Sequence, residues 1–246
     1  MKFFLLIGYL IVFPLQSKEN ITIAFGDALE PWVIPSSDSG ILIDLITEAL
    51  NPLGYKLTFE YFPYLRRISS FRTNKIDVVS DVNQKIIKIE KLKGYFSGDL
   101  YVYENYAYSL HENNFTFKHL NELLNYSLMS WQGAITHLGD DYAKMANNHP
   151  HYLETHDQIN QLKMLFKKRI QVIQLDEKIF NYYRLQLINE NNQIALIHVD
   201  KFSLFGRSSN GFLFKDEKIK NDFLSQITLM KEDGRYDKIF LRYAHQ

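Results

Sequence analysis

Residues 21–59 read ITIAFGDALEPWVIPSSDSGILIDLITEALNPLGYKLTF. Ile21 to Phe25 is a short apolar run of strand type. Gly26 to Gly40 carries Pro31, Pro35 and several Ser and Asp residues, which marks a loop. Leu42, Leu45, Ile46, Ala49 and Leu53 then recur at three- and four-residue spacing, as on an amphipathic helix, and Asn51-Pro52 and Gly54 end it. Leu57, Phe59 and Tyr61 alternate as a second strand. Strand, helix, strand in this order implies a parallel pair, because parallel neighbours need a crossover.

The alternation continues outward. A helix is expected over 66–72, a strand over 76–79 and a long aromatic-rich extended run over 101–110. Beyond it, helices are expected over 117–124, 140–145, 159–166 and 178–187, with strands over 126–131, 172–175 and 194–198. Residues 211–214 are extended again. A final helix holds Ile219, Phe223, Ile227 and Met230 on one face, Gly234 stands as its C-cap, and a last short helix covers 236–243. The sum is two α/β units, each near the usual domain size of about 100 residues. Ligands of open α/β sheets sit beyond the carboxyl ends of the strands, so two such units facing each other place a site in the cleft between them.

Composition narrows the functional classes. Apolar residues make up 46% of the 246, and aromatics 15%, which is globular composition. Lys and Arg number 28 and so do Asp and Glu, so no basic excess exists to neutralise phosphates, and nucleic acid is not expected as a partner. The absence of cysteine excludes disulfides, thiolate metal sites and a lipid-modified N-terminal cysteine. Residues 1–17 are read as a signal peptide: Lys2 is a short positive region, Phe3 to Leu15 is almost unbroken apolar sequence, and Ser17 supplies a small residue before a cut. The run is shorter than the roughly 20 residues of a membrane crossing. A periplasmic protein is therefore expected.

Four stretches together resemble a known family. They are residues 21–59, with Gly40, Asp44 and Gly54 in register; 63–80, PYLRRISSFRTNKIDVVS, with Pro63, Arg66 and Asp77; 162–176, LKMLFKKRIQVIQLD, with Arg169 and Asp176; and 210–240, NGFLFKDEKIKNDFLSQITLMKEDGRYDKIF. In this order the chain resembles the family 3 extracellular solute-binding proteins, the periplasmic amino-acid-binding type. The resemblance implies an α/β, two-lobed type 2 periplasmic-binding fold, each lobe a mostly parallel sheet flanked by helices, with the ligand cleft between. Lobe 1 would comprise 18–108 and 209–246, and lobe 2 would comprise 109–208. It implies capture of a small polar ligand, an amino acid or related organic ion, by hinge closure. The protein would be a monomer without a cofactor, serving an ABC transporter permease or a membrane sensor. Two departures stand out. Glu90-Lys91 occupies the place of a Glu-Arg pair whose Arg holds the ligand carboxylate, and Gln171 stands where an Asp is usual.

Candidate ligand-binding residues follow. Trp32, after Pro31, offers a flat ring of the kind the family sets against ligand, and Asp27 lies at the end of the same strand. Arg66 opens a helix and can reach an anionic group, with Arg67 pointing elsewhere on the helix. Asp81 and Asn83 follow a strand's carboxyl end. Lys91 would hold a carboxylate as a point charge, without the bidentate fork of Arg. Trp131 and Gly133 bound a strand-to-helix turn which, by the resemblance, presents N–H groups to an anion. Asp176 either meets a ligand ammonium or caps the helix beginning near Lys178. His149, His151 and His156 read as an exposed polar loop rather than a zinc site. The chain contains no Gly-x-Ser-x-Gly, His-Glu-x-x-His, P-loop or dinucleotide motif. A binding protein is therefore expected, with a cyclohexadienyl- or prephenate-type dehydratase on the same fold as the alternative.

Overall fold

The structure is a computed structural model that describes residues 20–190 and 193–244. The expected signal peptide lies outside the described residues. In chain order the elements are β1 (Asn20–Gly26), α1 (Ile41–Leu50), β2 (Lys56–Phe62), α2 (Tyr64–Arg72), β3 (Val78–Val82), α3 (Gln84–Ile89), β4 (Tyr95–Phe96) and β5 (Tyr101–Leu110). They continue with β6 (Leu128–Trp131), α4 (Ala134–His137), α5 (Asp140–Asn147), β7 (Tyr152–Thr155), α6 (Gln158–Phe166), β8 (Val172–Asp176), α7 (Glu177–Asn189), β9 (Val199–Phe202), β10 (Arg207–Phe214), α8 (Glu217–Glu232) and α9 (Arg235–Arg242).

The strands run in the order β2-β1-β3-β10-β5-β8-β6-β7, with β4 also on β10 and β9 also on β5. In the first half β1 pairs in parallel with both β2 and β3. In the second half β6 pairs in parallel with β7 and β8. Two strands belong to both halves. Residues 101–104 of β5 pair antiparallel with 207–210 of β10, while 105–108 of β5 pair with β8 and 211–214 of β10 pair with β3. The halves are thus joined through one short antiparallel ladder. Gly211 sits at the bulge where β10 changes partner. A Cβ there would lie 2.1 Å from the carbonyl oxygen of Gly98, so only glycine lets the two backbones approach this closely.

The expected amphipathic face of α1 is buried: Leu42, Leu45, Ile46 and Ala49 are all fully inaccessible. They share one apolar cluster with Phe223 and Ile227 of α8 and with Ile173 and Phe180 in the second half. The core is therefore continuous across the crossing.

Several local expectations are corrected. The third strand runs over Val78–Val82 rather than 76–79, so Asp81 lies inside it. The apolar pattern ends before Asp81, which is nonetheless buried and paired with Arg67. Residues 194–198 are not a strand: a 3-10 turn covers Gln193–Leu196, and β9 begins at Val199. Arg184 of α7 donates to the carbonyls of Ala195 and Ile197, which removes them from any ladder. The helix expected over 117–124 is a 3-10 segment, Leu120–Asn125, held by the Glu122 carboxylate on the N–H groups of Lys118 and His119. Strand β7 and helix α3 were not foreseen.

Candidate functional site

A cavity of about 90 Å³ opens where the two halves meet at the β5–β10 ladder. From the first half come Tyr64 and Arg67 of α2, Asp81 of β3 and Tyr103 of β5; from the second come Trp131, His137, Gln158 and Asp176. The space suffices for several waters or a small organic solute.

Arg67 and Asp81 form its charged floor. Their side chains are 4% and 9% exposed, and Arg67 Nη1 lies 2.8 Å from Asp81 Oδ2. Asp81 also accepts from Ser80 Oγ at 2.7 Å and from the hydroxyls of Tyr101 and Tyr103. Burial and the Asp81 charge push both tyrosine hydroxyls far above their ordinary range, so they stay protonated and donate. Asp81 holds a left-handed backbone, φ 57°, which Asp tolerates better than most residues. Gly26 gives the guanidinium room, since a Cβ there would lie 2.8 Å from Nη1.

Three buried groups around the cavity keep polar atoms without a protein partner: Arg67 Nε, the Tyr64 hydroxyl and both ring nitrogens of His137. Buried polar atoms are nearly always paired, so this concentration points to a polar occupant. The His137 ring lies 5.9 Å from Trp131 in parallel stacking and 4.5 Å from Tyr64 edge-on. Burial, followed by the charges of Arg67 and Lys85, lowers its pKa to about 4.

That shift sets an acid response. His137 is neutral in the fold at a pH where the unfolded chain's imidazole, at about 6.5, begins to charge. Its contribution is therefore complete above about pH 6.5 and lost as pH falls toward 4, amounting to about 3 kcal/mol. A His137→Phe variant is expected to show a flatter melting temperature over this window than the parent. Parallel pH profiles would discard the assignment.

Asp176 is a hub of a different kind. Its Oδ1 accepts from Trp32 Nε1 at 2.9 Å and from the N–H groups of Lys178 and Ile179 at 3.0 and 3.3 Å; Oδ2 accepts from the Glu104 N–H at 2.8 Å. It caps α7 and also borders the cavity. Burial raises its pKa to about 6, against the pull of these hydrogen bonds.

The structure thus gathers Asp81, Asn83, Trp131 and Asp176 around the cavity. Asn83 caps α3 through Ile86 and donates to Asn210. The other candidates lie elsewhere. Trp32 is fully buried behind Asp176, against Tyr101 and Tyr103, and borders a separate hollow on the far side. Asp27 lines a neighbouring recess that shares Tyr64, Arg67 and Trp131 with the main cavity. Arg66 is exposed, its guanidinium 4.9 Å over the Phe62 ring. Lys91 is exposed beyond the end of α3. The N–H groups of Gly133 and Ile135, the expected anion cradle, already donate to the Glu154 carboxylate. His149 is buried rather than exposed: its Nδ1 accepts from the His151 N–H, and its Nε2 faces the Leu123 carbonyl.

Sequence reasoning missed Tyr64, Arg67, Tyr103 and His137. A signal for Arg67 existed. It stands four residues before Phe71, which places it on the buried face of α2, whereas Arg66 is turned about 100° away. His137 had no such signal, because its environment is built by an aromatic residue from the other half.

No protein-family model matches the chain, and no curated protein matches it in sequence. Solved structures do match in shape. An ancestral arginine-binding protein bound to glutamine superposes with TM-score 0.71 at 18% identity, covering 93% of this chain and 99% of that one. An ABC uptake transporter substrate-binding protein from Streptococcus pneumoniae with bound histidine gives 0.73 at 16%, covering 92% and 93%. A histidine kinase sensor domain with similarity to periplasmic binding proteins gives 0.73 at 11%, covering 93% and 97%. What these proteins share with the chain, over nearly its whole described length, is the two-lobed α/β architecture of the type 2 periplasmic-binding fold.

Proposed function

We propose that the chain is an extracytoplasmic solute-binding protein that captures a small carboxylate-bearing ligand without chemical turnover, for a transporter or a membrane sensor. The observation that carries this reading is the set of unpartnered buried polar atoms on Arg67, Tyr64 and His137 around the cavity. Arg67 Nε can only donate, and Tyr64 and His137 each can, so a ligand rich in acceptors suits them. Both neighbouring carboxylates are engaged by protein donors, Asp81 by Arg67 and three hydroxyls and Asp176 by four N–H groups. The Tyr64 ring already carries the Arg67 guanidinium, so a ligand amine is left mainly to the face of Trp131.

The lobes of this reading are 18–108 with 209–246, and 109–208, hinged at the β5–β10 ladder. Closure over the ligand would remove it from water. The likenesses to amino-acid-binding proteins favour an amino acid or related organic acid, and the apolar run at residues 3–15 favours export.

A thermal-shift screen over amino acids, small organic acids and polyamines tests this. A ligand at 100 times its Kd adds about 2.7 kcal/mol, or about 5–10 °C for a chain of this size. Carboxylate compounds are expected to give the shift, with a smaller radius of gyration in solution scattering. A shift from polyamines alone would overturn the Arg67 assignment. Sustained product from prephenate would overturn the binding-only reading.

A further inference from the structure

The far end of β5 carries a second constellation, remote from the cavity in both composition and chemistry. The β5–β9 ladder pairs Leu110 with Val199 and Ser109 with Asp200, and the His111 N–H donates to the His198 carbonyl at 2.9 Å. His111 therefore stands directly opposite His198. Asp200, two residues on, shares its face, because alternate residues of a strand point the same way. The imidazole of His111 lies 4.4 Å from that of His198, centroid to centroid, and its Nδ1 is 2.9 Å from Asp200 Oδ1. One donor atom from each of the three lies within 4.8 Å of the other two.

We propose that His111, His198 and Asp200 form a binding site for a divalent transition-metal ion, Zn²⁺ by the chemistry of the donors. Two imidazoles and one carboxylate are a standard zinc set, leaving a fourth position for water. Metal–ligand distances near 2.0–2.1 Å place tetrahedral donors about 3.4 Å apart. Reaching that spacing from the present one, within 4.8 Å, calls for side-chain rotation. Such rotation is open to them: the His111 side chain is 58% exposed, Asp200 28%, and His198 is exposed. The hard-oxygen, six- to eight-fold sphere of Ca²⁺ is not offered here, and the imidazoles select against Mg²⁺. The backbone pairing fixes the three Cα positions before any metal arrives, so little ordering is needed on binding.

The position gives the ion a structural effect. It would tie the end of β5 to the start of β9 and so close the chain between residues 111 and 198, which contains β6, β7 and β8. Zn²⁺ is then expected to raise the melting temperature as well as to bind.

Calorimetric titration of tag-free protein with ZnCl₂ decides the matter. One equivalent is expected, with a several-degree rise in melting temperature under saturating metal. His198→Gln at an exposed position and Asp200→Asn at a half-buried one should each weaken binding at least about tenfold. His151→Gln with His156→Gln should leave it unchanged. Absence of binding at millimolar Zn²⁺ overturns the proposal, and so does undiminished affinity in His198→Gln. Loss of binding in the His151/His156 variant would place the metal elsewhere and also overturn it.

Discussion

Arg67→Ala is expected to lower stability by about 3–5 kcal/mol and to abolish ligand capture with it. The loss comes mainly from what remains. Asp81 would keep three neutral hydroxyl donors but lose the only cation in contact with its carboxylate among the described residues, at a site 8% exposed. A buried charge left without its partner costs far more than the pair contributes, because desolvation has already been suffered. Removing both members together, as Arg67→Met with Asp81→Leu, should therefore cost much less than the two single changes summed. Urea denaturation of the four proteins reads this directly. A single-variant loss below about 1 kcal/mol would mean that water reaches the pair. Arg67→Lys separates folding from recognition. The ammonium can still meet Asp81, so most stability should survive, but the Nε donor is gone and affinity should fall by at least about tenfold.

The second large effect is expected at Asp176. Asp176→Ala should cost about 3–5 kcal/mol: the α7 cap is lost, at roughly 0.5–2 kcal/mol, and the Trp32 indole and Glu104 N–H groups are left unmatched, at roughly 1–3 kcal/mol each. Asp176→Asn is more instructive. From sequence, an amide of the same shape looks harmless, since Asn is also a good cap. The structure says otherwise. One amide oxygen can serve Trp32 and the helix N–H groups, but the NH₂ would then face the Glu104 N–H, donor against donor. A loss of about 1–3 kcal/mol is expected at neutral pH. The parent's own pH dependence has a definite sign here. Because the folded pKa of Asp176, about 6, lies above the ordinary aspartate value of 3.8, its contribution is greatest below about pH 4 and declines as pH rises through 6. This opposes the His137 response over the same range. The Asn variant lacks the decline, so its stability should climb more steeply from pH 4 to 6.5 than the parent's. An equal loss at every pH would show that Asp176 stays ionised throughout.

The sequence carried the architecture well and the site unevenly. Periodicity located α1, α6, α7 and α8 because their buried faces repeat with helical spacing, and it located β5 to the residue because aromatic and β-branched side chains line it. It failed where local pattern and tertiary role disagree. Asp81 is a charged residue inside a strand, so the apolar pattern ends before the strand does. Trp32 reads as a ligand platform through the family resemblance; in the fold it is fully buried and its indole N–H donates to Asp176. Lys91 matches the family's arginine only by position in the sequence; in the fold it is exposed, and the buried cation beside the cavity is Arg67. The cavity itself needs side chains from ten separate elements, and no one-dimensional pattern brings those together.

The way β10 is shared between the halves bears on the order in which the protein can be completed. β3 finishes at residue 82, but its second neighbour, β10, begins only at 207. All strands of the other half, from β5 to β9, lie in between and can pair among themselves first. As the chain emerges from the ribosome, Val78, Val79 and Val82 thus wait beside an open sheet edge until almost the last residues have been made. The earliest strands to be synthesised are among the last to be locked. Such a chain cannot finish folding ahead of its own synthesis.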